Sequence, residues 1–299
     1  MSAYPYANPP FRKRRPKLFF FLLYVCLLLV GMVLVSVWGV LDARGVFSGP
    51  RIGLVTVDGF IGDSGPTVEW IDKLRKNPSV AGVLLRIDSP GGAVAPSQEV
   101  HMAVKRLAAS KPVIASMGTV AASGGYYIAV AAREIFASPS TLTGSIGVRM
   151  QLSNVQGLME RLGVFSESLT TGKFKASGSP FKELTAEERA YLQAILDDMQ
   201  AQFVETVAEG RKMPKDAVLP LADGRAFTGR QALQFKLVDA MGDKEAALAR
   251  LVAICGLEGE PEILEQPEKS KPFWRTLLEA ALDISMEKTA ETGKIQFVY

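Results

Sequence analysis

Residues 80–87 read Val-Ala-Gly-Val-Leu-Leu-Arg-Ile and stop at Asp88-Ser89-Pro90-Gly91-Gly92. A strand with one wet face alternates apolar and polar side chains. A nearly continuous apolar run must be covered on both faces, as in a parallel sheet flanked by helices. The surrounding sequence supplies those neighbours. Residues 52–57 (Ile-Gly-Leu-Val-Thr-Val) read as a strand, and 65–76 as an amphipathic helix with Val68, Ile71 and Leu74 on one face. Residues 97–109 and 121–132 read as helices, and 112–116, 134–137 and 145–148 as strands. Strands interleaved with helices at this spacing predict an α/β domain with a largely parallel sheet. Farther on, Thr185-Ala186-Glu187-Glu188 opens a long helix ending near Arg211, and Thr228-Gly229-Arg230-Gln231 opens another. Both are capping boxes.

The first strong chemical signal is Ala121-Ala122-Ser123-Gly124-Gly125, directly behind an apolar strand. Two readings of Ser123 stand at this level. It is a helix N-cap, a common role for serine, or a nucleophile where the helix dipole favours developing negative charge. Gly124 and Gly125 favour the second reading. Two glycines weaken a first turn by about 1 kcal/mol each, and they make sense where backbone must approach a bound acyl group. The turn at residues 88–92 closes another buried strand, where ligands of open α/β sheets bind. Its successive glycine N–H groups are candidate oxyanion donors.

The base for such a serine is the next question. His101 is the single histidine. It lies well inside a helix and away from both glycine-rich loops, so a surface or half-buried place is expected and a Ser-His-Asp triad is disfavoured. A lysine can replace it when desolvation lowers its pKa. The polar, Gly-rich loop 170–181, expected to close a strand, carries Lys173 and Lys175. Residue types alone do not choose between lysines.

Residues 18–41 hold 24 positions without a charge, a helix of about 36 Å. That length spans a hydrocarbon core of about 30 Å. It exceeds a cleavable signal region of roughly 7–15 residues. Arg12, Lys13, Arg14, Arg15 and Lys17 precede the run and Asp42-Ala43-Arg44 follows it, so the positive-inside rule places the N-terminus in the cytoplasm. The domain reading is a basic cytoplasmic tail (1–17), a transmembrane helix (18–41), a linker (42–50), a catalytic domain (51–257) and a C-terminal tail (258–299). The tail carries an amphipathic stretch at 272–286 and an apolar end at 295–299. It either packs on a neighbour or stays loose. A net charge of +3, much of it beside the span, gives no case for nucleic acid. Cys26 and Cys255 build neither a disulfide framework nor a metal set and read as packing residues.

These residues together resemble the bacterial signal peptide peptidase A family, membrane-anchored serine endopeptidases of the Clp/crotonase superfamily. The resemblance runs from about residue 52 to 251. It rests on Arg86-Ile87-Asp88-Ser89-Pro90-Gly91-Gly92, on the stretch from Met117 to Tyr127, on Leu142-Thr143-Gly144-Ser145-Ile146-Gly147-Val148 and on Gly172-Lys173-Phe174-Lys175. Phe227-Thr228-Gly229-Arg230-Gln231-Ala232 and Leu237-Val238-Asp239 also fit. The resemblance implies an α/β, Clp/crotonase-like fold of stacked ββα units behind one transmembrane helix, of the short single-repeat type. It implies Ser123 as nucleophile, Lys175 as general base with Lys173 as fallback, and Ser145 orienting the lysine. The oxyanion donors would be the N–H groups of Gly124 and of Gly91 or Gly92. It also implies a ring-like homo-oligomer, commonly an octamer, with the dyad assembled across a subunit boundary. The implied substrates are remnant signal peptides at the bacterial inner (cytoplasmic) membrane, with the catalytic domain extracytoplasmic. No metal or organic cofactor is implied. Two rivals are a crotonase-like acyl-CoA enzyme, which leaves the span, Ser123 and Lys175 without roles, and a catalytically silent membrane scaffold, against which the intact motifs speak.

Overall fold

The computed structural model describes residues 15–43 and 50–266. The expectations for the first residues, the linker core and the tail stretches at 272–286 and 295–299 fall outside them. Helix α1 (Pro16–Ala43) carries a 24-residue apolar stretch, Pro16–Gly39, none of it buried. Apolar side chains all round it offer no polar face to water, and its length suffices to cross a membrane. Cys26 is exposed on it.

Residues 51–264 are built on one sheet. Strand β1 (Arg51–Ile61), helix α2 (Gly65–Lys76), β2 (Val80–Gly92), α3 (Val94–Ala108), β3 (Val113–Ala122), α4 (Gly124–Ala129) and β4 (Glu134–Ala137) follow in order. The four strands pair in parallel, with Leu54 opposite Leu84, Leu84 opposite Ile114 and Ile114 opposite Glu134. As the apolar run of β2 requires, both faces are covered. Val83, Leu85 and Ile87 join Val55, Ala115 and Met117 in a core shared with α2, α3 and α4. Leu84 points to the opposite face with Ile52, Leu54, Ile114 and Phe136, beneath α9 (Lys244–Cys255), which supplies Ala247 and Leu251. Cys255 is a packing residue there. A Cβ on Gly82 of β2 would stand 2.7 Å from its sulfur, and burial pushes the thiol pKa up.

Beyond Ser116 the sheet forks. The first half of β3 pairs with β4, and its last residues, Val120–Ala122, pair with β5 (Leu142–Gly144). Strand β5 takes β6 (Ala226–Thr228) antiparallel, β4 takes β7 (Ala240–Met241), and β8 (Ile263–Leu264) flanks β1. The long α6 (Ala186–Arg211) starts at the full capping box of Thr185 and Glu188, and α8 (Gly229–Gln234) at that of Thr228 and Gln231. Two short helices, α5 (Gln156–Arg161) and α7 (Lys215–Val218), complete the elements used below.

Several expectations need correction. Strand β3 runs six residues past Ser116, because β2 and β5 hold both of its edges, and the helix after it starts at Gly124 and ends at Ala129 instead of spanning 121–132. Helix α3 begins three residues early, at Val94. Residues 145–148 form no strand: Gly144 (φ 74°) and Ser145 (φ 49°) both turn left-handed and end the ladder. No strand precedes the loop at 170–181 either; residues 164–170 are irregular.

Candidate active site

Ser123 stands between β3 and α4 with φ 53° and ψ −120°. A non-glycine residue in this region is strained, and strained strand-to-helix turns present nucleophilic serines. The capping alternative fails on geometry. The side chain makes no capping hydrogen bond to α4. Its backbone is fixed instead: the Ser123 N–H donates to the Gly144 carbonyl (2.8 Å), and its carbonyl accepts from Tyr127 N–H (2.8 Å). The half-buried hydroxyl is left without a partner among the described residues.

The end of β2 packs directly against this turn. Gly91 has φ 101°, and a Cβ there would lie 2.8 Å from the Gly124 nitrogen and 2.9 Å from the Ser123 Cβ. The Gly91 N–H donates to Ser89 Oγ (3.1 Å), and that buried hydroxyl donates to the Gly59 carbonyl (2.6 Å). The Gly92 nitrogen is 3.3 Å from where a Gly124 Cβ would stand, and Gly92, Ser123 and Gly124 line one cleft. Of the two glycines considered as donors, the Gly91 N–H is engaged by Ser89 and Gly92 lines the cleft. Ser145 follows the carbonyl that anchors Ser123. It is half-buried, and its N–H donates to the Arg225 carbonyl (2.9 Å).

The lysines lie elsewhere. Lys175 is exposed, is held by no ion pair or hydrogen bond through its side chain among the described residues, and is absent from the cleft lining. Lys173 pairs with Glu187 and sits 5.6 Å above the Phe174 ring, which stacks on Tyr191. The structure thus brings together Ser123, Gly91, Gly92, Gly124 and Ser145, but leaves Lys175 out of that group.

Sequence reasoning missed the cleft walls: Val94, Tyr127, Val148, Met199 and Phe203. Met199 and Phe203 share one face of α6 at i and i+4, which reads equally well as ordinary core. His101 also departs from expectation. It is buried, and its Nδ1 lies 2.8 Å from the Tyr127 carbonyl, beneath the helix that follows Ser123. Desolvation pushes its pKa below the ordinary imidazole value, Lys105 adds to this, and the hydrogen bond with Tyr127 and the charge of Glu209 oppose it.

A forked α/β sheet with a strained serine at a strand-to-helix turn, packed against a second glycine-rich strand end, defines an α/β serine peptidase of Clp-like architecture. The model of "Peptidase family S49" matches residues 105–257. A Synechocystis protein named "Putative protease slr0021" is 43% identical over 203 residues, 68% of this chain and 72% of its own. "Serine protease SPPA, chloroplastic" of Arabidopsis thaliana is 38% identical over 61% of this chain and 27% of its own. "Protease 4" of Salmonella typhi is 36% identical over 67% and 34% respectively. The chain belongs to peptidase family S49, among the signal peptide peptidase A proteins.

Proposed function

We propose that this chain is a membrane-bound endopeptidase that degrades remnant signal peptides with a Ser123–Lys175 dyad. The observation that carries the reading is the Ser123 hydroxyl, on a strained turn and without a partner among the described residues, in a cleft shared with Gly92 and Gly124. Lys175 removes the hydroxyl proton as Ser123 attacks a peptide carbonyl. The two amides receive the oxyanion, the lysine ammonium protonates the leaving amine, and water releases the acyl group. Ser145, next to the turn's anchor, orients the lysine.

A lysine serves as base only when its ammonium is desolvated, so the exposed Lys175 has to be covered. A second copy of the chain is the covering partner in this reading. Support comes from the same segment, which exposes Leu158, Leu162, Phe165 (88%) and Leu169 (92%). Apolar exposure on this scale marks an interaction surface. The assembled form is a ring of identical subunits, of octamer size in this reading. α1 anchors it in the bacterial cytoplasmic membrane with the N-terminus inside, following the basic residues before the span. Apolar signal-peptide segments suit the apolar cleft walls.

A fluorophosphonate probe tests the nucleophile on detergent-solubilised protein: labelling is expected in the wild type and absent in Ser123→Ala, and equal labelling refutes the assignment. Lys175→Ala is expected to abolish peptide cleavage while Lys173→Ala retains it. Mixed rings of Ser123→Ala and Lys175→Ala are expected to regain activity; inactive mixed rings would refute the shared dyad.

A further inference from the structure

We propose that His101 is a positioning residue for Ser123: its imidazole caps the Tyr127 carbonyl and so holds in place the short helix that carries the nucleophile turn. The inference rests on Ser123 being the nucleophile.

Helix α4 has six residues and opens with Gly124-Gly125. A helix this short cannot sustain itself, because nucleation costs more than one or two intrahelical bonds return. Its last-turn carbonyls also need partners. Val130 N–H donates to the Tyr126 carbonyl and Ala131 N–H to that of Ile128, so no following amide reaches the carbonyl of Tyr127. His101 Nδ1 fills that place at 2.8 Å. A carbonyl only accepts, which assigns the hydrogen to Nδ1.

Tyr127 links this cap to the chemistry. Its N–H donates to the Ser123 carbonyl (2.8 Å), so two hydrogen bonds connect His101 to the backbone of Ser123. Its ring lies between those of His101 and Phe203, each centroid 5.0 Å away, and its hydroxyl shares a 2.9 Å hydrogen bond with Thr206. The same ring walls the cleft beside Ser123. Without the His101 donor, the half-buried Tyr127 carbonyl loses its protein hydrogen-bond partner. Rotation of α4 to reach another partner would carry the Ser123 hydroxyl and the Gly124 amide with it. The role needs a donor at one point and no proton transfer, which separates it from a triad histidine.

The experiment compares His101→Leu with His101→Asn in full-length, detergent-solubilised protein. The two side chains are close in size, and only Asn offers an N–H near the position of Nδ1. The readouts are the rate of Ser123 acylation by the fluorophosphonate per folded molecule and the thermal midpoint. His101→Leu is expected to acylate about tenfold more slowly than wild type, with His101→Asn recovering most of that loss. Equal rates in the two variants, or a wild-type rate in His101→Leu, overturn the proposal whatever their midpoints. Should His101→Leu not fold, His101→Phe, which keeps a ring and lacks the donor, takes its place. If the wild type is not labelled at Ser123, the nucleophile assignment fails. Hydrogen exchange over residues 124–131 still reads the cap, with faster exchange expected in His101→Leu than in His101→Asn and equal exchange refuting it.

Discussion

Gly91→Ala has the outcome that the geometry specifies most closely. Gly91 holds φ 101°, and a Cβ there would meet the Gly124 nitrogen at 2.8 Å, the Ser123 Cβ at 2.9 Å and the Ala122 carbonyl oxygen at 3.1 Å. None of these atoms is the free end of a long side chain, so the backbone of the turn has to yield. Backbone strain alone costs about 1–3 kcal/mol, roughly 2–4 °C in thermal midpoint per kcal/mol for a domain of this size. The steric effect falls on function. Relieving the 2.8 Å contact displaces the Gly124 amide by roughly half an ångström, the limit of what a preorganised site tolerates. Loss of one oxyanion donor costs about 2.7–4 kcal/mol, or about 10²–10³ in kcat. The assay is kcat and KM on a fluorogenic peptide, normalised to folded protein. Gly256→Ala is the control: Gly256 also has positive φ (62°), but nothing lies within 4 Å of its Cβ position. It is expected to lower the midpoint and leave kcat unchanged. A Gly91→Ala enzyme with a lowered midpoint but kcat within about threefold of wild type would refute the role given to these amides.

Stability should depend on the protonation of His101. The unfolded imidazole titrates near its ordinary value of 6.5, and burial holds the folded one lower. Between those values the unfolded chain binds the extra proton, so stability is complete above pH ~6.5 and falls as the pH drops toward the folded value. Because this is the chain's single histidine, the slope of unfolding free energy over about pH 5–7 should flatten in His101→Asn; an unchanged slope refutes the attribution. Tyr126 is fully buried, its hydroxyl donates to the Leu237 carbonyl (2.9 Å), and burial pushes its pKa above the ordinary phenol value. Tyr126→Phe leaves that carbonyl unpaired and should cost about 1–3 kcal/mol in urea unfolding with an unchanged m-value. A midpoint equal to wild type would count against it.

The parts of this fold that were legible in the sequence are those decided by neighbours along the chain. Thr185 and Thr228 each met the glutamate or glutamine three residues on that their capping boxes called for. The apolar run of β2 reads as covered on both faces because each of its side chains reports burial independently. The end of β3 was misread because Gly118, Thr119 and the alanines before Ser123 carry no strand pattern. The last of them are extended because Ser89 of β2 pairs with Ala121 and Leu142–Gly144 of β5 pair with Val120–Ala122. Residues 145–148 failed for the opposite reason: their apolar character suggested a strand, and two successive left-handed residues prevent one.

The candidate site divides along the same line. The sequence by itself determined the apolar N-terminal helix, the α/β alternation, and the coincidence of a glycine-flanked serine with a second glycine-rich strand end. All of these are local properties of composition and spacing. Only the tertiary structure decided that Ser123 is not a cap, that the Gly91 N–H is taken up by Ser89, and that His101 sits against the Tyr127 carbonyl. Each depends on the direction of one backbone N–H or carbonyl. Those directions are set by partners 2 to 26 positions away in the chain, and no one-dimensional pattern records them.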